Sequence, residues 1–386
     1  MRRREFIKGL GAGGLACLVA GCGDDQGQPQ TQRPVVSAEG STPREIRLAP
    51  HGTWGSKKAT GVMGIVQEHG YLEEEFAEEG TQITWSPMDG GGIEINEAIA
   101  NGLVDCSMFG AFPQIIGQAR GLRTRILASQ GYAYNYLAVR RGLDIDSPAQ
   151  LRGKVLAVSF GAHTHHTTGL MLAEHGVGLA EVKLLNLSAG DAIAALASGR
   201  VDAVLAGPQL FALEEQDLVR IIYFTAGRRT QASAFGGLFV TEDFHQRYPD
   251  ASRRLLKCYL RAAHWVSLPE NRDAYFRFIS DNSTIPLRFL ERDFQNQDLA
   301  DRFNPLCDEN YVERLRSTVE FAYANGIVRN RIDVDAWVDR GMIRDALQEL
   351  GIENFWVPWD RHGKPLDGAQ AFAGVLPGTE WFRGIS

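Results

Sequence analysis

A repeated stretch constrains this chain more than any other feature. Glu97 to Pro113 reads Glu-Ala-Ile-Ala-Asn-Gly-Leu-Val-Asp-Cys-Ser-Met-Phe-Gly-Ala-Phe-Pro, and Ala194 to Gly207 reads Ala-Ala-Leu-Ala-Ser-Gly-Arg-Val-Asp-Ala-Val-Leu-Ala-Gly. Superposed, Ala98, Ala100, Gly102, Val104, Asp105 and Gly110 fall on Ala195, Ala197, Gly199, Val201, Asp202 and Gly207. Each copy describes an Ala-rich helix that stops at a glycine, which takes a left-handed conformation at little cost. A Val-Asp pair then turns the chain into a short apolar run, as for a strand buried on both faces of a parallel sheet. The strand ends at a second glycine, and ligands of open α/β sheets lie at the carboxyl ends of strands. Two such units predict two similar α/β lobes facing one cleft. The alternative is a chance likeness between two ordinary helix-to-strand turns.

The 386 residues leave room for two or more domains. The formal net charge is −7, and no basic stripe with interleaved aromatics occurs, which argues against a nucleic-acid partner. No apolar run reaches the roughly 18 residues that span a bilayer. Arg3-Arg4-Glu5-Phe6-Ile7-Lys8 resembles a twin-arginine export motif, and Leu18-Val19-Ala20-Gly21-Cys22 resembles a lipobox cleaved before an acylated cysteine. Residues 1–21 are therefore expected to be a signal peptide. Cys22 is the expected lipidation site, and 22–44 a polar, flexible tether outside the cytoplasm, in the periplasm or at the cell surface. Cys106, Cys258 and Cys307 are widely spaced and odd in number, which gives neither a disulfide framework nor a zinc pattern. Cys106 reads as a small apolar filler.

Strands are predicted at 45–50, 82–85, 125–129, 135–139, 155–158, 219–223 and 235–240. The loop His51-Gly52-Thr53-Trp54-Gly55 follows the first of them. Asp89-Gly90-Gly91-Gly92 opens the helix of the first repeat; its bare N–H groups suit an anion, or the run is a plain loop. Ser159 to Thr168 leaves a strand, passes Gly161 and enters a helix, with Thr164 or Thr167 available to cap it or touch a ligand. Ser188 is placed to cap the second repeat's helix. From Pro249 onward the pattern is helical, and Tyr311 to Asn325 turns Val312, Leu315, Val319 and Ala322 inward. These helices read as a covering layer. Trp356 to Ser386 shows no periodicity.

Three histidines, His163, His165 and His166, stand together, but spacings of one and two at a helix start point the rings in different directions. They read as hydrogen-bonding groups for a ligand or as solvated helix-start residues, with a metal site the weaker reading. There is no nucleophile elbow, phosphate-binding loop or dinucleotide fingerprint, so no catalytic residue and no cofactor is assigned. Asp105 and Asp202, repeated after a helix-stop glycine, read as turn residues. Trp54 and Phe112 follow strand ends and either wall a pocket or pack between lobes.

Leu151-Arg-Gly-Lys154 before a strand, Gly161 opening a helix and the repeated Ala-x-x-x-Gly-x-Val-Asp units together resemble bacterial ABC-transporter solute-binding proteins. The likeness is to the branch for aliphatic sulfonates, taurine and nitrate, and it covers about residues 45 to 345. The resemblance implies a type II periplasmic-binding-protein fold, with lobe 1 at 45–131 and 235–386 and lobe 2 at 132–234. It also implies a non-enzymatic, monomeric role: capture of a small organic anion by lobe closure and delivery to a membrane permease and its ATPase. By position, the pocket would draw on Thr53, Trp54, Gly91, Gly92, Phe109, Gly110, Ala111, Phe112, His163, Thr164, His165, Gly207 and Gln209. Ala162-His163 stands where the family often has small hydroxyl residues, and Ala206-Gly207-Pro208 where it often has an aromatic and an acid. No arginine stands in these loops, so anion binding would rest on helix ends, hydroxyls and histidine. The competing readings are an enzyme like the relatives that make the thiamine pyrimidine, which use a cysteine-rich motif missing here, and a ligand-sensing subunit for a membrane receptor.

Overall fold

The structure is a computed structural model and describes residues 42–52, 58–226 and 232–366. The expected signal peptide, most of the tether with Cys22, and Thr53 and Trp54 of the expected pocket lie outside the described residues.

Among the described residues ten strands form two five-stranded sheets. The first contains β1 (Glu45–Leu48), β2 (Gln82–Trp85), β3 (Cys106–Gly110), β4 (Thr124–Ala133) and β10 (Ala234–Thr241), in the order β2-β1-β3-β10-β4. The second contains β5 (Tyr136–Arg140), β6 (Val155–Val158), β7 (Lys183–Asn186), β8 (Ala203–Ala206) and β9 (Val219–Phe224), in the order β7-β6-β8-β5-β9. In both sheets three parallel strands carry an antiparallel pair at one side. The two orders therefore superpose strand for strand, with β3 on β8, the strands of the sequence repeat.

The repeat extends to its hydrogen bonds. Gly102 (φ 67°) and Gly199 (φ 74°) sit just beyond the helices Gly91–Ala100 and Ala189–Ala197, in the left-handed region that favours glycine. Asp105 then accepts from Arg47 N and donates its own N–H to Arg47 O, both at 2.9 Å. Asp202 accepts from Val155 N at 2.9 Å and donates to Val155 O at 2.8 Å. Each aspartate is thus a clamp on the neighbouring strand, a more specific role than the turn expected for it.

The core follows strand alternation, because successive side chains leave opposite faces of a sheet. On one face of the first sheet Ile46, Leu48, Leu238 and Val240 pack against the helix Pro249–Ser267; on the other, Phe109, Ile126 and Phe239 pack against the helices Ala111–Ala119 and Glu309–Ala324. In the second sheet Tyr136 and Ala138 share a cluster with Ala192, Ala195 and Leu196, while Leu137 and Val139 share one with Met171 and Leu172. Complete burial of each such Leu or Ile contributes about 1.5–3 kcal/mol. Cys106 lies wholly inside, and burial pushes its thiol pKa far up, as its reading as an apolar filler requires. Trp356 and Trp359, in the stretch without periodicity, are buried as well.

The chain passes between the sheets twice, from β4 to β5 and from β9 to β10. The β4 strand runs on through Tyr132, beyond the end read from the sequence, and pairs Tyr132 with Phe235. The two crossings are tied together: Thr225 Oγ1 accepts from Asn135 N, Asn135 O accepts from Thr225 N, and Asn135 Nδ2 donates to Ala232 O.

Candidate functional site

The carboxyl ends of β3 and β8 carry the two glycines of the repeat, and they meet different surroundings. Gly110 has an extended backbone that any residue adopts (φ −62°, ψ 142°). The space there is tight: a Cβ would stand 3.3 Å from His163 Cβ and 3.9 Å from both His163 Cγ and Phe235 O. The end of a first-sheet strand is thus in close approach to the start of a second-sheet helix, His163–Glu174. At Gly207 an added Cβ would instead meet Oε1 of its own neighbour Gln209 at 2.7 Å, an oxygen that is buried and without a hydrogen-bond partner.

Two long helices begin at this junction, and neither has a side-chain cap. The helix Ala111–Ala119 starts directly after Gly110, and Gln114 holds that start against the sheet by donating to Phe109 O at 2.7 Å and Gly237 O at 2.8 Å. The helix His163–Glu174 follows a turn closed by Ala162 N to Ser159 O and by Phe160 N to Asn186 Oδ1. Thr167 does not cap it; its hydroxyl donates back to His163 O at 3.1 Å. Uncapped helix starts carry unpaired N–H groups and the positive end of the helix dipole, which together suit an anion; here Pro113 supplies no N–H and the N–H of His165 is already given to Ala162 O at 3.1 Å.

The three histidines separate as their spacing implies. His163 is half-buried at Gly110, and burial, with a smaller contribution from nearby His51, pushes its pKa down to about 4. His165 is half-buried against Phe160 (ring centroids 5.0 Å apart) and accepts from Gly161 N. His166 is buried between Phe112 (5.1 Å, stacked) and Phe321 (4.9 Å, edge-on), and its Nε2 has no partner. Burial first, then the charge of Arg314, pushes the pKa of His166 down to about 3. Among the described residues no three His, Cys, Asp or Glu side chains gather as a metal site.

Other expected positions serve packing. Phe112 is buried between the helices of the two sheets, in keeping with its packing reading. Phe109 and Ala111 are also buried, and a Cβ on Gly92 would strike Pro113 and Phe109, so Gly92 is a packing glycine. The N–H of Gly90 is taken by Glu94 Oε2 at 2.8 Å, which favours the plain-loop reading of the glycine run. Gly91 (φ 64°) lies against the ring of His51. Beside the junction runs an open groove of about 600 Å³, walled by Ile93, Pro113, Ile116, Phe160 and His165, with the charged Glu97 and Arg120 also lining it.

One residue escaped the sequence reading. Arg314, on a helix read as covering layer, is 3 % exposed. It donates to Ser233 O at 2.6 Å, and its guanidinium lies over Phe235 (4.1 Å) and Tyr132 (4.9 Å). Its spacing was a usable signal: Tyr311, Arg314 and Thr318 recur at helical intervals on one buried face.

The comparisons with known proteins agree with this architecture. The family model described as NMT1/THI5 like matches residues 63–271. A Bacillus subtilis (strain 168) protein named for aliphatic-sulfonate binding is 26 % identical over 336 residues, 86 % of this chain and 94 % of that one. The taurine-binding periplasmic protein of Escherichia coli (strain K12) is 27 % identical over 211 residues, 52 % of this chain and 65 % of that one. The crystal structure of a periplasmic sulfonate-binding protein from Methylobacillus flagellatus KT superposes with a TM-score of 0.73 at 28 % identity, covering 82 % of this chain and 98 % of that one. With its two matched sheets the chain has the type II periplasmic-binding-protein fold, and it belongs to the NMT1/THI5-like family.

Proposed function

We propose that this protein is a solute-binding protein that captures a small organic anion, an aliphatic sulfonate, between two lobes. Lobe 1 comprises 45–131 and 235–386, and lobe 2 comprises 132–234. The observation that carries the reading is the approach of Gly110 to His163, where uncapped helix starts from the two sheets converge. The sulfonate group sits at those helix starts, with N–H groups and imidazole as donors. The aliphatic body extends along the groove walled by Ile93, Ile116 and Phe160. Relatives named for sulfonate and taurine binding support this substrate class. The role is capture and release, not catalysis.

The ligand touches both lobes only when they are together, so it shifts the population toward the closed form. The Asn135–Thr225–Ala232 hydrogen bonds make the paired crossings a defined hinge. The twin-arginine leader exports the protein and is removed, and the lipid on Cys22 then anchors it to a membrane outside the cytoplasm, where an ABC permease and ATPase receive the solute.

Titration calorimetry of the purified full chain tests the reading, with 1-propanesulfonate, taurine and nitrate as probes. Binding of a sulfonate with a tenfold or greater preference over nitrate supports it. Binding of nitrate alone, or of no anion, overturns it.

A further inference from the structure

Arg314 poses a physical question that its packing does not answer. Taking an ionised guanidinium out of water is costly unless it is paired, and buried charges are paired as a rule. Among the described residues the other deeply buried arginine, Arg302, obeys that rule: it bridges Asp293 and also donates to Gln297 Oε1. Among the described residues Arg314 makes no ion pair, and its Nε has no hydrogen-bond partner. Its contacts are one backbone carbonyl, that of Ser233, and the side chains of Tyr132 and Phe235. The acid nearest in influence, Asp308, already accepts from the backbone N–H groups of Tyr311 and Trp359. An arginine keeps its proton under all ordinary conditions, so a positive charge stays inside the first lobe, offset in part by Tyr132 and by the more distant Asp308.

Its position gives that charge a use. Phe235, which the guanidinium covers, is the residue whose carbonyl lies beside Gly110, and His163 completes the same junction. Arg314 therefore stands one aromatic layer behind the place where the two helix starts meet. Aromatic side chains and buried backbone screen a charge poorly compared with water. In a protein of net charge −7, an anion needs such a local source of positive potential.

We propose that Arg314 is the specificity-determining residue that makes this cleft prefer an anionic headgroup, acting through the Phe235 layer without touching the ligand. The proposal rests on the solute-binding reading above, and it moves the source of anion preference from the pocket loops to a helix of the covering layer.

The test compares the wild-type full chain with R314M and R314K by calorimetry. The probes are 1-propanesulfonate, its uncharged counterpart methyl propyl sulfone, nitrate and sulfate. R314M keeps the space between Tyr132 and Phe235 filled and removes an unpaired buried charge, a change that leaves folding stability equal or higher. The expected result is an anion-over-sulfone preference that falls on the order of tenfold in R314M and returns in R314K, with the sulfone affinity unchanged. R314Q supplies a second neutral side chain if R314M does not fold. A preference that R314M or R314Q leaves intact overturns the proposal and leaves Arg314 a packing residue that holds Ser233 O. If the wild type binds nitrate or sulfate in place of sulfonates and R314M loses that preference, the proposal stands and the sulfonate reading falls. If the wild type binds no anion, both fall.

Discussion

The two copies of the repeat share a backbone and differ in what surrounds it. In the first, Asp105 is buried and takes the Arg47 guanidinium in a bidentate pair, Nε to Oδ2 at 2.9 Å and Nη2 to Oδ1 at 2.7 Å, besides the Arg47 N–H. In the second, Asp202 keeps the backbone clamp, but Arg140 stands 3.6 Å away. At the strand ends Gly110 confronts the opposite sheet, whereas Gly207 confronts its own Gln209. One motif thus builds a braced frame in the first sheet and a looser partner in the second. The repeat sets the backbone at the two strand ends, and the surroundings of each copy fix how much that position can tolerate.

Substitution at the two glycines should separate the copies most widely. G110V is compatible with the local backbone but drives its side chain against His163, so the full chain should fold while sulfonate affinity in calorimetry drops a hundredfold or more. Undiminished affinity would break the contrast. G207A should cost little, because the atom it meets is the far end of a flexible glutamine; an effect within about threefold is expected.

The aspartates should separate next, read by urea denaturation. D105A removes one partner of a largely buried ion pair and should cost about 2–3 kcal/mol, below the full range for such pairs because Arg47 is about a third exposed. D202A should cost about 1 kcal/mol, the value of its backbone hydrogen bond. Equal losses would mean that the second copy is braced by contacts outside the motif.

The interlobe face adds a pH dependence. His166 is held neutral in the fold, with a pKa pushed down to about 3 from 6.5, and the charged or titratable groups that act on it are Arg314, His163 and His165. All three favour the neutral form, since none is acidic. Below pH 6.5 the unfolded chain takes up a proton that the folded chain refuses. The stabilisation is therefore complete above pH 6.5 and declines as pH falls toward 3, by about 2 kcal/mol between pH 6.5 and 5. Thermal melts of H166F, which keeps a ring between Phe112 and Phe321, should show a flatter acid limb than wild type. Parallel limbs would remove His166 from the account.

The sequence carried the sheet architecture well, for local reasons. Gly102 and Gly199 mark helix ends by conformation, Val-Asp marks each strand entry, and Ser188 caps its helix through the Asp191 N–H. Gly110 was legible as a point of close approach, although what it approaches was not. The misses share a cause: they depend on partners distant in the chain. Phe112 offered two readings because nothing local reveals a stacked His166. Arg314 was passed over because an apolar stripe counts only apolar residues, and a buried cation on that stripe looks like an interruption. Gly90 is the exception, since Glu94 four residues on was in view as a competitor for its N–H.

The most direct measurement is a crystal structure of the chain grown with 1-propanesulfonate. The account predicts sulfonate oxygens within hydrogen-bonding distance of the first N–H groups of the helices that begin at Ala111 and His163, with the propyl chain toward Phe160. A sulfonate bound away from the Gly110–His163 junction, or held by one sheet alone, would contradict it.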